Sequence, residues 1–216
     1  MNMHYYSHKP QAESRRATVT YRLPNATNES FANIVFITDS GVFSKSRVDF
    51  GTDLLIRSLP PLNGRALDLG CGYGAAGISL ALLNPGVDMW FSDINERAVE
   101  LCRENYARIA APPLLSSTDV VSAPVEKRVR CSDGFAEFVD EEFDIIIINP
   151  PVRAGKARIF QLYEEARDRL KGGGALYVVI QKKQGMQSTY KELAALFGNC
   201  EDIARKAGYH VLRATK

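Results

Sequence analysis

From Arg65 onward, short apolar runs alternate with longer stretches in which apolar residues recur every three or four positions. "RALDLGC" (65–71), "VDMWFSD" (87–93), "VEKRVRC" (125–131), "FDIIIIN" (143–149) and "ALYVVIQ" (175–181) read as strands. Between them, helices are predicted at "AAGISLALLN" (75–84), stopped by Pro85 and Gly86, and at "NERAVELCRENYARIA" (95–110). Asn95 is placed to cap the second of these, whose Ala98, Leu101, Cys102, Asn105 and Ile109 share one mostly apolar face. Two more helices are predicted, at "ARIFQLYEEARDRL" (157–170), ended by "KGGG", and at "QSTYKELAALF" (187–197). The chain closes on two short strands, "CEDIARK" and "YHVLRATK". The "KAGY" link between them is too short for a crossover helix, so they must pair antiparallel. This alternation predicts an α/β fold: a mostly parallel sheet, helices on both faces, and an antiparallel edge.

The first sixty residues read differently. "ATVTYRL" and "ANIVFIT" are β-type runs separated by the polar "PNATNES", a hairpin signature with a long loop. A short helix carrying Leu54, Leu55 and Leu59 follows and is ended by Pro60, Pro61 and Gly64. We therefore expect a small N-terminal β-hairpin extension with a lead-in helix over residues 1–60, and one α/β domain over 61–216. The loop 112–124 receives no element.

Composition narrows the class only a little. The chain has 216 residues, 45% hydrophobic and 24% charged, enough for one sizeable core. A formal net charge of +2 permits a nucleic-acid partner without arguing for one. Cys71, Cys102, Cys131 and Cys200 form no C-x-x-C pair and read as free thiols of a reducing compartment. No run reaches the roughly 18 apolar residues of a membrane span, and the opening "MNMHYYSHKP" lacks the apolar stretch of a signal peptide. The expectation is a cytoplasmic protein with no membrane partner and no metal.

In a sheet of this kind, ligands bind beyond the carboxyl ends of the strands. The polar residues there are Asp68, Asp93, Asp133, Asn149 and the Gln181–Lys182 pair. "LDLGCGYGAAG" contains a G-x-G-x-x-G at Gly72, Gly74 and Gly77, which alone fits a nicotinamide or flavin fold as well as any other. Asp93 suits the ribose hydroxyls in every case. Asp68 discriminates: a carboxylate immediately before the glycines would repel a pyrophosphate and attract a cofactor that carries an ammonium and a sulfonium. S-adenosyl-L-methionine is such a cofactor.

"LDLGCGYG" resembles the first motif of the class I S-adenosylmethionine-dependent methyltransferases, and "NPPV" resembles their amino-methylating fourth motif. "TDSGVFSKSRVDFGTDLLI", "NPPVRAGK" and "VVIQKKQG" extend the resemblance, from about residue 4 to the end, to the small ribosomal RNA guanine-N2 methyltransferases. The resemblance implies a Rossmann-like class I methyltransferase sheet. It implies that Gly70, Gly72 and Gly74 let the backbone approach the methionine portion of the cofactor, with Asp68 near its amino group. Asp93 would hold the ribose, Ile94 would lie against the adenine, and Asp133 would take the adenine amine. The bland alternative for Asp133 is a turn former beside Gly134.

"IIIINPPVRAGK" (145–156) ends a greasy strand on an amide, two prolines and two cations. An exocyclic amine shares its lone pair with a π-system, so a methylating enzyme must reshape and aim it. Two rigid acceptors achieve this, the Asn149 side-chain oxygen and the Pro150 carbonyl, with both prolines holding φ near −65°. The alternative is an ordinary turn after a buried strand. Asn149 also borders the expected cofactor site. Many relatives of this motif carry an aromatic residue where this chain has Val152, so stacking on the acceptor must come from elsewhere. Phe43 and Tyr73 are candidates, and both are equally readable as core. Arg153, Lys156, Lys182 and Lys183 converge on the same rim, where they could meet phosphates or simply be solvated cations. The leading expectation is N-methylation of a ribosomal RNA base, guanine N2 of 16S RNA first. Glutamine methylation of a protein, adenine-N6 methylation and a non-catalytic cofactor module are the rivals.

Overall fold

The computed structural model describes residues 13–24, 33–44, 46–110 and 123–216. In chain order the strands are β1 (Ala17–Arg22), β2 (Asn33–Thr38), β3 (Arg65–Leu69), β4 (Asp88–Asp93), β5 (Val129–Cys131), β6 (Phe143–Ile148), β7 (Leu170–Gln181), β8 (Glu201–Lys206) and β9 (Tyr209–Thr215). The helices are α1 (Phe50–Ser58), α2 (Ala75–Leu83), α3 (Glu96–Ile109), α4 (Val125–Arg128), α5 (Lys156–Arg169) and α6 (Met186–Phe197). The hairpin β1–β2 forms its own antiparallel sheet, and the rest form a seven-stranded sheet in the order β5-β4-β3-β6-β7-β9-β8. β3 to β7 run parallel, while β9 is antiparallel to both β7 and β8. This is the mostly parallel Rossmann-like sheet that the resemblance implies, with the antiparallel edge that the "KAGY" link predicts.

The isoleucine run shows why the sheet is covered on both faces. Ile147 joins a core cluster with Ala66, Phe91, Tyr177 and Val211, whereas Ile146 and Ile148 join another with Leu67, Trp90, Val178 and Leu212. Alternate residues of one strand thus enter opposite cores, as period-2 geometry requires, and a continuous apolar run is the result. Residues of α1, α2, α3 and the hairpin fill the first cluster, and those of α5 and α6 the second.

Local signals end the elements where the sequence places them. Asn95 accepts the Arg97 and Ala98 N–H groups at 3.0 and 3.4 Å, capping α3. Asp49 caps α1 in the same way, through Gly51 at 2.9 Å and Thr52 at 3.2 Å. Asn105, buried on the mostly apolar face of α3, has a structural duty. Its oxygen accepts the Ile37 N–H at 2.8 Å, and its amide donates to the Ile37 and Tyr73 carbonyls at 2.8 and 2.9 Å. One side chain thereby ties the edge of β2 to the glycine loop.

Two expectations need correction. "VEKRVRC" is not one strand: its first four residues make the single turn α4 before β5 begins. Arg128, 4% exposed, draws this turn inward, donating to the Met89 carbonyl at 3.1 Å and pairing with Asp88. The "KGGG" segment does not separate helix from strand, because β7 already starts at Leu170. The register slips between Phe143↔Leu170 and Ile145↔Ala175, so the glycines bulge past Asp144. Lys216 closes the bulge by bonding to Gly173 and Gly174.

Candidate active site

After β3 the chain builds outward through β4 and β5, then returns to place β6 on the other side of β3. The loops leaving β3 and β6 therefore part, and a crevice opens at their carboxyl ends. A cavity of about 190 Å³ fills it.

One end of the cavity belongs to the β3–α2 loop and the end of β4. Gly70, Gly72 and Gly74 all have positive φ (77°, 57° and 91°). A Cβ on Gly70 or Gly72 would meet no atom within 4 Å, so these glycines leave room for a ligand against the backbone. Gly74 acts differently: a Cβ there would lie 2.6 Å from Ile78 and 3.0 Å from Cys102, so this glycine lets α2 start close to α3. Gly77 lies where α2 crosses the sheet, since a Cβ would stand 2.4 Å from Phe91. The Gly70 and Cys71 N–H groups donate to the Ser92 carbonyl at 2.8 and 2.9 Å, pinning the loop to β4.

Asp68 is 4% exposed and accepts the Gly77 N–H at 2.8 Å. Burial pushes its carboxyl up to about 7; the Gly77 N–H works against the rise, and the Asp93 carboxylate adds to it. Asp93 accepts the Gly72 and Asn95 N–H groups at 2.8 and 2.9 Å. Desolvation in the crevice raises its pKa as well, against the pull of those N–H groups. Among the described residues, the cavity lining includes the carboxylates of Asp49, Asp68 and Asp93, and no lysine, arginine or histidine. Buried anions without lining cations fit a positively charged ligand and disfavour a polyphosphate. Ile94 and the Ser132 and Gly134 positions border the same end.

The other end is assembled from distant segments. Asn149 and Pro150 lie there just beyond β6, beside Val42 and Phe43, Asp49 and Thr52 at the start of α1, and Gln184 and Tyr209. Asn149 donates its amide to the Thr52 hydroxyl at 3.1 Å. Phe43 is 40% exposed on this wall, while Tyr73 is buried, with its ring 5.7 Å from Phe36. Tyr209 sits over the start of α1, its ring 5.6 Å from Phe50, and a Cβ on Gly51 would lie 3.0 Å from it.

One cavity thus gathers Asp68, Gly70, Gly72, Asp93, Ile94, Asn149, Pro150, Phe43 and Tyr73. Asp133 stands outside the lining, its carboxylate paired with Arg158 at 2.7 Å. Val152 opens the 3-10 turn Val152–Ala154, and its side chain lies outside the described residues. Arg153, Lys156, Lys182 and Lys183 are exposed, following Pro151 and preceding Gln184 of the lining. Lys156 lies 4.9 Å from the Phe160 ring centroid. Thr52, Gln184 and Tyr209 were not singled out from sequence. The "DFGT" and "KAGY" stretches held Thr52 and Tyr209, yet nothing local to either says that both line one cavity with Asn149.

Residues 33–213 match the family model of the methyltransferase small domain. The chain is 38% identical to the uncharacterized protein YbxB of Bacillus subtilis over the whole of both chains. It is 32% identical to the ribosomal RNA large subunit methyltransferase G of Streptomyces coelicolor, covering 91% of this chain and 49% of that one. Among solved structures, the T. thermophilus 16S rRNA N2 G1207 methyltransferase, in complex with AdoMet and guanosine, superposes with a TM-score of 0.73. That match is 24% identical and covers 93% of this chain and 50% of that one, and it speaks for the fold. The chain spans about half the length of these two named RNA methyltransferases. Among the described residues no helix is long and apolar enough to cross a membrane. A parallel sheet whose strand order reverses at β3, a glycine cradle walled by carboxylates and the match over residues 33–213 lead to one conclusion: the chain belongs to the methyltransferase small domain family, whose cofactor is S-adenosyl-L-methionine.

Proposed function

We propose that this protein methylates an exocyclic amine of a base in ribosomal RNA, with guanine N2 of the small-subunit (16S) RNA as the leading acceptor. The observation that carries the reading is the meeting of the Asn149–Pro150 strand end with the carboxylate-walled glycine cradle in one cavity. S-adenosyl-L-methionine, when bound, supplies an electrophilic methyl group on a sulfonium. The residues of the chain then have separate duties. Asp68 faces the cofactor's ammonium, Asp93 its ribose hydroxyls, and Ile94 its adenine. Gly70 and Gly72 leave the backbone bare for its methionine portion. Asn149 and the Pro150 carbonyl are the two acceptors that grip the N–H groups of the target amine and turn its lone pair toward the methyl. Such positioning accounts for up to about 7–11 kcal/mol of a barrier where it is most effective.

Phe43 offers an exposed ring at the acceptor end, and Arg153, Lys156, Lys182 and Lys183 supply the rim for phosphates. The names of the two RNA-modifying proteins support an RNA substrate but point to different ribosomal subunits. In this reading the enzyme works in the cytoplasm, where ribosomes are assembled. The test is mass spectrometry of nucleosides from 16S and 23S RNA, naked and in subunits, after incubation with protein and labelled cofactor. N2-methylguanosine in 16S RNA is the expected product. The same nucleoside in 23S RNA would move the target to the large subunit, and N6-methyladenosine would change the base. Methylated protein beside unmodified RNA would overturn the RNA reading.

A further inference from the structure

We propose that Asp49 and Thr52 are positioning residues that hold the Asn149 amide with its oxygen turned to the acceptor. The proposal rests on the reading of Asn149 as the residue that grips the target amine. A primary amide is nearly symmetric in shape, and a half-turn about its last bond exchanges an acceptor for a donor. Only the oxygen-inward form can accept from an amine. Something must therefore choose between the two forms.

The structure supplies a chain of polarity that makes the choice. Asp49 divides its two oxygens. Oδ1 accepts the Gly51 and Thr52 N–H groups and caps α1, while Oδ2 accepts the Thr52 hydroxyl. A hydroxyl has one hydrogen, and with that hydrogen committed to Asp49 the Thr52 oxygen presents only lone pairs elsewhere. The Asn149 Nδ2 lies 3.1 Å from that oxygen and 3.5 Å from Asp49 Oδ2. Both neighbours demand a donor. Turning the amide over would set its oxygen against two acceptors, so the oxygen is left for the cavity that Asn149 lines. Thr52 is 6% exposed, which spares the contact from competing water.

This assigns a duty to three of the four residues of "DFGT". Asp49 caps and polarises, Gly51 passes close beneath the Tyr209 ring, where a Cβ would crowd it at 3.0 Å, and Thr52 relays.

The test separates the hydroxyl from the helix it sits on. Thr52→Val keeps the shape and removes the relay, whereas Thr52→Ser keeps the hydroxyl. Asp49→Asn keeps a cap acceptor, since asparagine caps as well as aspartate, but replaces Oδ2 by a donor. With RNA as acceptor, we expect kcat to fall about tenfold in Thr52→Val and at least as far in Asp49→Asn. Thr52→Ser should stay within about threefold of wild type. Affinity for S-adenosylhomocysteine should remain within about twofold in both Thr52 variants. Proton exchange of the Asn149 side-chain amide, assigned by its disappearance in Asn149→Ala, gives a readout independent of turnover. It should be slow in wild type and Thr52→Ser and fast in Thr52→Val. Unchanged kcat and exchange in Thr52→Val would overturn the relay, as would equal losses in the serine and valine variants. If the wild-type protein methylates no RNA, the substrate reading fails, and the amide exchange alone decides the relay.

Discussion

The two ends of the cavity are built on opposite plans. The cofactor end comes mainly from one stretch, Asp68 to Asn95, in which strand, glycine loop, helix and next strand follow one another, with Ser132 and Gly134 at its border. Its working parts are backbone and charge: bare glycines, N–H groups holding Asp93, and a carboxyl buried beside them. The acceptor end draws Phe43, Asp49 and Thr52 from before the sheet, Asn149 from its middle, and Tyr209 from its last hairpin. Its working parts are side chains that meet only when the fold is complete. An end made of contiguous backbone can tolerate many side-chain changes around it. One made of convergent side chains can be retuned by single substitutions, which suits the part that selects a substrate.

The comparison breaks if damage at one end spreads to the other. The largest effect expected is from Asn149→Ala, which should lower turnover by about 10²–10³ while leaving S-adenosylhomocysteine affinity within about threefold. Single-turnover rates and calorimetry on the same preparation measure the two ends separately. A comparable loss of cofactor affinity would show that the cavity is one indivisible unit.

The next effect sharpens the electrostatics of the cofactor end. Asp68 has its pKa raised to about 7 by burial, so without ligand it gains a proton as the pH falls through that value. An ammonium prefers the ionised carboxylate. S-adenosylhomocysteine should therefore bind progressively less tightly below pH 7, approaching about tenfold per pH unit, and proton release should accompany binding near neutrality. The effect on folding has the opposite sense. A carboxyl raised above its unfolded value favours the folded state at low pH, and this contribution is lost as the pH climbs from about 4 to 7. Asp68→Asn should flatten both profiles, and a pH-independent affinity in wild type would remove Asp68 from the ammonium site.

The smallest effect lies on the rim. Lys156→Glu with Lys182→Glu should weaken RNA binding across sequences and make it less salt-dependent. Each lost phosphate contact removes about 0.7–0.9 from the log–log slope. Cofactor affinity should not move, since neither lysine lines the cavity. An unchanged slope would mean that RNA approaches from elsewhere.

The same contrast explains what could be read from the sequence. The order of strands and helices, the Asn95 cap, the doubly buried isoleucine strand and the carboxylate before the glycines all follow from neighbours within a few residues. What escaped depends on remote partners. Arg128 bends a predicted strand into a turn because Met89 and Asp88 wait on the adjacent strand. The glycines after Leu170 join β7 because Lys216 pairs beside them. Asp133 is legible as a polar strand end, but its partner Arg158, on α5, is not. Asn149 was legible through its prolines; the Thr52 that orients it stands 97 residues earlier.

β9 is inserted between β7 and β8, although it follows both in the chain. During synthesis β7 therefore emerges with one edge open, and its alternating Leu176, Tyr177, Val178 and Val179 belong to cores on both faces. Until Tyr209–Thr215 arrives, this is a long apolar edge of the kind that recruits other chains. β8 has no place in the sheet before then, because β9 is its partner. The nascent chain is thus exposed to misassembly until a late step, and the strand that ends the exposure also carries Tyr209 to the mouth of the site. The strand that closes the sheet thus also supplies one wall of the cavity, so a chain in which β9 has not docked lacks the Tyr209 side of the pocket.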